Sequence, residues 1–262
     1  MGMRFSVLAS GSKGNACLVE MNGTRILLDA GLSMRELFRR LHLIGVDPAS
    51  LDALIVTHEH SDHIKGAGPL ARRLEIPVYV NGSTLRRSLH TIGNLPLPVV
   101  IHSGQSIAIN DLLIETFTKC HDAVDPVGLV ITADGSRLGL ITDLGRSTNL
   151  VADRLRRCQA LILEFNHDPA MLADGPYPLE VKRRIKGSEG HLSNQEAGEL
   201  LKSMSPPDLR LLIPAHLSEI NNLPQMALQE ARDALAALGL KDTKIMMSHQ
   251  DRPTEWAEIP RP

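Results

Sequence analysis

Thr57-His58-Glu59-His60-Ser61-Asp62-His63 decides how this chain is read. It follows directly on Leu51–Thr57 (LDALIVT), an apolar run whose composition and length predict a buried strand. In an extended segment, residues two apart share a face. His58 and His60 can therefore hold one cation together. Asp62 and His63 fall on the turn into the next helix and can face a second cation beside the first. A closed structural zinc site would want four ligands, usually with cysteine. No cysteine is near, and the donors are imidazole and carboxylate, a set that suits an open hydrolytic zinc, manganese or iron centre. The competing reading is a surface loop that happens to be rich in histidine. The coincidence of strand end, spacing and clustering speaks against it.

A second cation needs donors from elsewhere, and three later strand ends offer them. His121 follows the strand Leu113–Thr118 in CHDAVDPVG, Asp143 follows Gly139–Thr142 in GLITDLG, and His216 follows Leu211–Pro214 in LLIPAHLSEINN. Around these positions the chain alternates. Arg4–Ala9 reads as a strand, Ser10–Asn15 (SGSKGN) as a polar turn, Ala16–Met21 as a strand, Asn22-Gly23 as a hairpin turn and Arg25–Asp29 as its return. Met34–Ile44 has helical spacing, Ile64–Leu74 reads as one helix and Pro77–Val80 as a strand. Val99 to Thr142 is mostly strand. Val151–Cys158 reads as a helix and Ala160–Phe165 as a buried strand. Leu179–Ile185 is a basic helical stretch, and Ser193 with Glu196 forms a capping box that opens a helix to Met204. Leu223–Leu238 is a long helix and Lys244–Ser248 a last short strand. Two similar halves, each running from strands to helices, predict one α/β domain over residues 1–262, with two packed sheets and helices outside.

Composition narrows the function classes. Of 262 residues, 43% are hydrophobic and 22% charged, which excludes disorder and coiled coil as the main architecture. Twenty-eight Lys+Arg against 30 Asp+Glu exclude a polybasic nucleic-acid binder, so an anionic partner must be held by a local patch. Four Phe, two Tyr and one Trp are too few rings for a base-stacking platform. The 3 cysteines (Cys17, Cys120, Cys158) are isolated and predict no disulfide framework. No apolar stretch is long enough for a membrane span, and MGMRFSVLASGS does not read as a secretory signal. The expectation is a cytoplasmic protein with no membrane partner.

THEHSDH, followed in order by His121, Asp143 and His216, resembles the metallo-β-lactamase superfamily, from Arg4 to Ser248. More narrowly, SGSKGN, HDAVDPVG, ITDLG, EFNHD, GHLSN and HLSEINN resemble the YycJ/WalJ family of cytoplasmic exonuclease-like hydrolases. The resemblance implies a four-layer αββα sandwich. It implies two divalent ions, Zn2+, Mn2+ or Fe2+, one held by His58, His60 and His121 and the other by Asp62, His63 and His216, with Asp143 bridging. It also implies a nucleic-acid substrate, DNA, degraded as an exonuclease with 5′→3′ polarity. Thiol-ester and lactam hydrolases of the superfamily carry a TPGHT-like third motif where this chain has TKCHDA. Flavo-diiron relatives carry Glu where His60 stands. His191 in GHLSN is similar to an extra histidine of nuclease and small phosphodiesterase relatives.

Two ions sharing a water lower its pKa toward neutrality and clamp a phosphate oxygen, and the hydroxide between them would attack phosphorus. Asp62 would orient that water through its second oxygen. His191 is the candidate general acid for the leaving oxygen. Ser12, Lys13 and Asn15 in the first turn are candidate phosphate contacts. Glu164, Asn166, His167 and Asp168 are expected to rim the crevice, with Asn166 and His167 contacting substrate or supporting ligands. Asp29 is expected to brace the HxHxDH loop. Lys182, Arg183, Arg184 and Lys186 lead into the His191 loop and would meet phosphates without reading sequence. A small-molecule or cyclic-nucleotide phosphodiesterase would use the same metals. A non-catalytic metal-bound regulatory protein and a thiol-ester hydrolase are further alternatives.

Overall fold

The computed structural model describes residues 2–259; Met1 and residues 260–262, the ends of the expected domain, lie outside the described residues. Asn22 and Gly23 both take positive φ, 50° and 90°, and turn β2 (Ala16–Met21) back onto β3 (Thr24–Leu28). β1 (Met3–Ala9) pairs antiparallel with the other side of β2. After α1 (Met34–Leu43) the chain adds β4 (Ala53–Val56) parallel to β3. After α2 (Ser61–Ile64) and α3 (Ala67–Leu74) it adds β5 (Val78–Asn81) parallel to β4. α4 (Gly82–Ile92) leads to β6 (Pro98–Ile101), parallel to β5.

The second half repeats the scheme. β7 (Ser106–Ile109), β8 (Leu112–Thr118), β9 (Val127–Ala133) and β10 (Ser136–Ile141) form an antiparallel meander. After α5 (Asn149–Leu155), β11 (Ala160–Glu164) pairs parallel with β10. α6 (Pro169–Asp174), α7 (Leu179–Lys186) and α8 (Asn194–Met204) precede β12 (Leu211–Ala215), parallel to β11. α9 (Pro224–Ala237) returns the chain to β13 (Lys244–Ile245), parallel to β12.

Both faces of each sheet are covered. In β2, Cys17, Val19 and Met21 enter the core between the sheets, where they join Ile114, Leu129, Ile131 and Ile162 of the second sheet. Ala16 and Leu18 face the opposite way and pack with Leu37 and Leu41 of α1 and Leu70 of α3. On the far side, Leu161, Leu163 and Leu212 pack with Leu155 of α5, Leu200 and Leu201 of α8 and Ala231 of α9. The result is a four-layer αββα sandwich. None of the helices among the described residues is long and apolar enough to cross a membrane. Cys17, Cys120 and Cys158 are free thiols, and burial pushes the Cys158 thiol up to about 12.

Several elements differ from their sequence reading. The helix expected over Ile64–Leu74 breaks in two, because Gly66 docks on the preceding loop: its N–H donates to Ala30 O at 2.7 Å, and a Cβ there would lie 2.3 Å from Leu32 O. α4 has no apolar stripe to betray it; its buried positions are Thr84, Ser88 and Ile92. The last strand shortens to β13, and three residues further on, β14 (Ala257–Ile259), cross back to pair with β1.

The loop that carries HxHxDH rests on one glycine. A Cβ on Gly31 would lie 1.6 Å from Asp62 O and 2.6 Å from Asn15 N, both backbone atoms. Gly31→Ala should therefore destabilise the fold by about 3 kcal/mol, a fall in Tm of roughly 6–12 °C. A thermal melt matching wild type would show that this contact does not constrain the loop.

Candidate metal centre

β1 and β3 run parallel to each other across β2, and β4 continues parallel to β3. β8, β10, β11 and β12 likewise share one direction. The residues that follow these strands meet at one edge of the sandwich. Asp29, Asp143 and His216 all take left-handed backbone angles there, with φ of 59°, 55° and 56°. Such angles are uncommon outside glycine, and here each turns a side chain sharply off a strand end toward the crevice.

His58, His60 and His121 each offer a ligand atom to one group whose atoms lie within 4.8 Å of one another; Asp62, His63, Asp143 and His216 form a second group. Within them, each histidine has one ring nitrogen committed to a fixed acceptor. Thr57 Oγ1 donates to Asp29 Oδ2 (2.8 Å), so it accepts from His58 Nδ1 at 2.9 Å. His60 Nε2 donates to Asp122 O at 3.2 Å and His121 Nδ1 to Gly190 O at 3.3 Å. His63 Nδ1 donates to Asp29 Oδ2 at 2.7 Å and His216 Nδ1 to Glu164 Oε1 at 2.8 Å. The other nitrogens turn inward. His58 Nε2, His216 Nε2 and Asp143 Oδ2 are buried without a hydrogen-bond partner. His60 Nδ1 and His121 Nε2 face each other at 3.2 Å.

Facing lone pairs and orphaned buried acceptors are what a cation satisfies, and outward N–H groups on carboxylates and carbonyls are how metal-ligating histidines are held. Burial holds the His58 imidazole well below its usual range and His121 at about 4, so both are neutral donors. Burial opposes charge on His63 too, but Asp143, Asp29 and Asp62 outweigh it and raise it to about 10. Three carboxylates that favour a proton on His63 equally favour a metal cation in its place. The donor set thus fits divalent metal ions.

His191 stands between the two groups, its ring centroid 5.4 Å from His121 and 5.1 Å from His216. Its Nδ1 donates to Glu164 Oε1 at 2.9 Å, and its side chain is 21% exposed. Glu164, read as a rim residue, is fully buried and is the hub of this side of the site. Its carboxylate also accepts the backbone N–H groups of Asp143 (3.1 Å), Leu144 (2.8 Å) and Leu192 (3.1 Å). Lys119, singled out by nothing in the sequence, is buried two residues before His121 and donates to Thr142 O at 2.6 Å.

The proposed substrate contacts separate into two sets. Asn15 is buried, with Nδ2 3.2 Å from Asp62 Oδ2 and 3.1 Å from His63 Nε2, so it touches the second group directly. Asn166 is buried and donates to His216 O at 2.8 Å. His167 is buried beside Ser193, its Nδ1 without a partner. Ser12 is exposed on the first turn. On α7, Lys182 Nζ is tied back to Ala173 O at 2.6 Å, Arg183 is exposed, and Arg184 Nε donates to Asp122 Oδ2 at 2.6 Å.

Glu164 generates a pH prediction. Burial alone would push its carboxyl up, but His191 and His216 outweigh it and hold it at about 2, below the ordinary 4.5. A group with a depressed folded pKa stabilises fully above its unfolded value, and that contribution vanishes as pH falls through the folded one. Metal-stripped wild type should therefore lose stability steeply between about pH 4.5 and 2. Glu164→Gln should be less stable at neutral pH and show a flatter Tm profile across that window. Parallel profiles would remove Glu164 from this role.

Residues 24–217 match the beta-lactamase superfamily domain. The chain is 35% identical over 258 residues to the exodeoxyribonuclease YycJ of Bacillus anthracis, covering 97% of both chains. It is 32% identical over 266 residues to the exodeoxyribonuclease WalJ of Streptococcus pneumoniae, covering 99% of both. Among solved structures, the metallo-beta-lactamase fold protein YhfI from Bacillus subtilis superposes with a TM-score of 0.75 at 17% identity, over 97% of this chain and 100% of that one. The superfamily domain over residues 24–217, and identities of 35% and 32% along nearly the full chain, place this protein in the beta-lactamase superfamily and, within it, in the family of the exodeoxyribonucleases YycJ and WalJ.

Proposed function

We propose that this protein is a dinuclear-metal phosphodiesterase that degrades DNA from an end, with 5′→3′ polarity, and that residues 1–262 act as one hydrolase domain. The observation that carries the reading is the placement of His191 between two adjacent groups of inward-facing metal donors. Its relatives supply the substrate: both YycJ and WalJ are named exodeoxyribonucleases. His58, His60 and His121 would hold one ion and Asp62, His63 and His216 the other, with Asp143 reaching both. Bound Zn2+, Mn2+ or Fe2+ would supply a water of lowered pKa and a clamp on the phosphate oxygens.

The chain's own residues do the rest. Asp62 Oδ2 is engaged by Asn15, which leaves its other oxygen to orient the attacking water. His191 is held through Nδ1 by Glu164, which leaves Nε2 as the ring nitrogen turned away from this brace. That nitrogen carries the proton to the leaving oxygen. Arg183, on the exposed face of α7, meets backbone phosphates, as does Ser12. Asn15 and Asn166 act on the substrate through the ligands they support, and His167 acts on it from beside Ser193. Three unpaired thiols support a cytoplasmic location.

The test is an activity panel with Mn2+ or Zn2+ on end-labelled duplex DNA, single strands, RNA and bis(p-nitrophenyl) phosphate. Mononucleotides should be released from duplex ends, and Asp62→Ala and His58→Ala should abolish the release. His191→Ala should keep both metals and lose about 10²-fold or more in turnover. Turnover of the small diester alone would replace this reading with a small-molecule phosphodiesterase. No turnover with metals fully loaded would leave a metal-bound scaffold.

A further inference from the structure

We propose that Asp122 is a further member of the metal centre, an oxygen donor on the solvent side of the His58–His60–His121 group, and that it sets which divalent cation this group accepts. The inference rests on reading that group as a metal pocket. Three of the four polar atoms of Asp122 are engaged. Its carbonyl accepts from His60 Nε2 at 3.2 Å, its N–H donates to Glu189 O at 3.0 Å, and Oδ2 accepts from Arg184 Nε at 2.6 Å. The fourth, Oδ1, is buried with no hydrogen-bond donor. It lies 3.4 Å from His121 Nε2, the nitrogen that faces the pocket. Two donors each about 2.1 Å from one ion stand roughly 3.0–3.4 Å apart when adjacent. The His60 Nδ1 to His121 Nε2 separation of 3.2 Å falls in the same range. Oδ1 also lies 3.8 Å from the outward His60 Nε2, and Arg184 balances the other oxygen, so a cation beside His121 Nε2 would complete the charge around this carboxylate.

Side-chain exposure places Asp122 at the mouth of the pocket. It is 25% exposed and His60 29%, against 1% for His121. Arg184 fixes the rotamer by gripping one oxygen, which turns the other inward. The consequence is a matter of ligand chemistry. Without Asp122, the first group has three imidazoles and only a share of Asp143, whereas the second has Asp62 of its own. A nitrogen-rich, low-coordinate set favours Zn2+, and added carboxylate oxygen suits the higher coordination of Mn2+. Asp122 supplies the first group with that oxygen.

Calorimetric titration of metal-stripped wild type and Asp122→Asn, with Mn2+ and Zn2+ in separate runs, tests the assignment. Asn keeps the size and an acceptor for Arg184, and the Tm of the stripped proteins checks the fold. Wild type should bind two Mn2+ ions. Asp122→Asn should lose at least about tenfold in Mn2+ affinity at one site, with a clearly smaller change for Zn2+. Arg184→Ala, which keeps the carboxylate but frees it, should fall between them. Unchanged binding of both cations in Asp122→Asn overturns the proposal, as does an equal loss for both. Wild type that binds neither cation overturns the metal reading itself, and His58→Ala identifies which titration step belongs to the first group.

Discussion

An imidazole that offers one nitrogen to a cation has one N–H to give, and the acceptor that takes it decides where the lone pair points. Two carboxylates do most of this work, one from each sheet. Asp29, after β3, accepts from the Thr57 N–H, the Thr57 hydroxyl and His63. Glu164, at the end of β11, accepts from His191, His216 and three backbone N–H groups. Both are acceptor-only groups in a dry setting, where a charge-assisted hydrogen bond is strong and an unmatched donor is costly. The protein presets the orientation of these candidate ligands through its own hydrogen bonds.

The presetting depends on the topology. Candidate donors from sequence positions as distant as 58 and 216 converge because the strands before them point the same way within each sheet. The sheets then face each other across a shared apolar core. Three non-glycine residues hold left-handed backbone angles at that edge, Asp29, Asp143 and His216. Each such angle costs on the order of 1–2 kcal/mol. The surrounding hydrogen bonds offset the cost. Asp29 N–H donates to Ile55 O, and His216 N–H donates to Ser10 Oγ.

This convergence sets what could be read from the sequence. HxHxDH is local, so its spacing and the strand before it were enough to group four donors. Asp143 and His216 were legible as charged or imidazole residues closing apolar strands. The bracing shell was not. Glu164 looks like one more polar residue at a strand end, and only the packed structure shows that it reaches Asp143, Leu192 and His216 at once. Asn15 and Asn166 sit in turns that resemble ordinary polar turns, yet each side chain is turned inward on a metal-ligand candidate. α4 hides because its buried face is Thr84, Ser88 and Ile92. The break at Gly66 hides because its cause is a contact with Ala30 and Leu32, thirty-odd residues earlier.

The near-neutral total charge of −2 conceals how charge is arranged. The crevice gathers Asp62, Asp122, Asp143 and Glu164, a field that attracts cations and, without them, repels phosphate. Bound divalent ions reverse that sign locally. α7 buries none of its residues. Yet it is tethered to the crevice through the Arg184–Asp122 ion pair, and the segment after it through the Asp122 N–H to Glu189. An anion that engages the Arg184 guanidinium therefore competes with Asp122, which is linked through its carbonyl to His60. The basic face of α7 and the first metal group are in this way one electrostatic unit. With only seven aromatic rings in the chain, four Phe, two Tyr and one Trp, it is this unit, rather than base stacking, through which an anionic chain would be held.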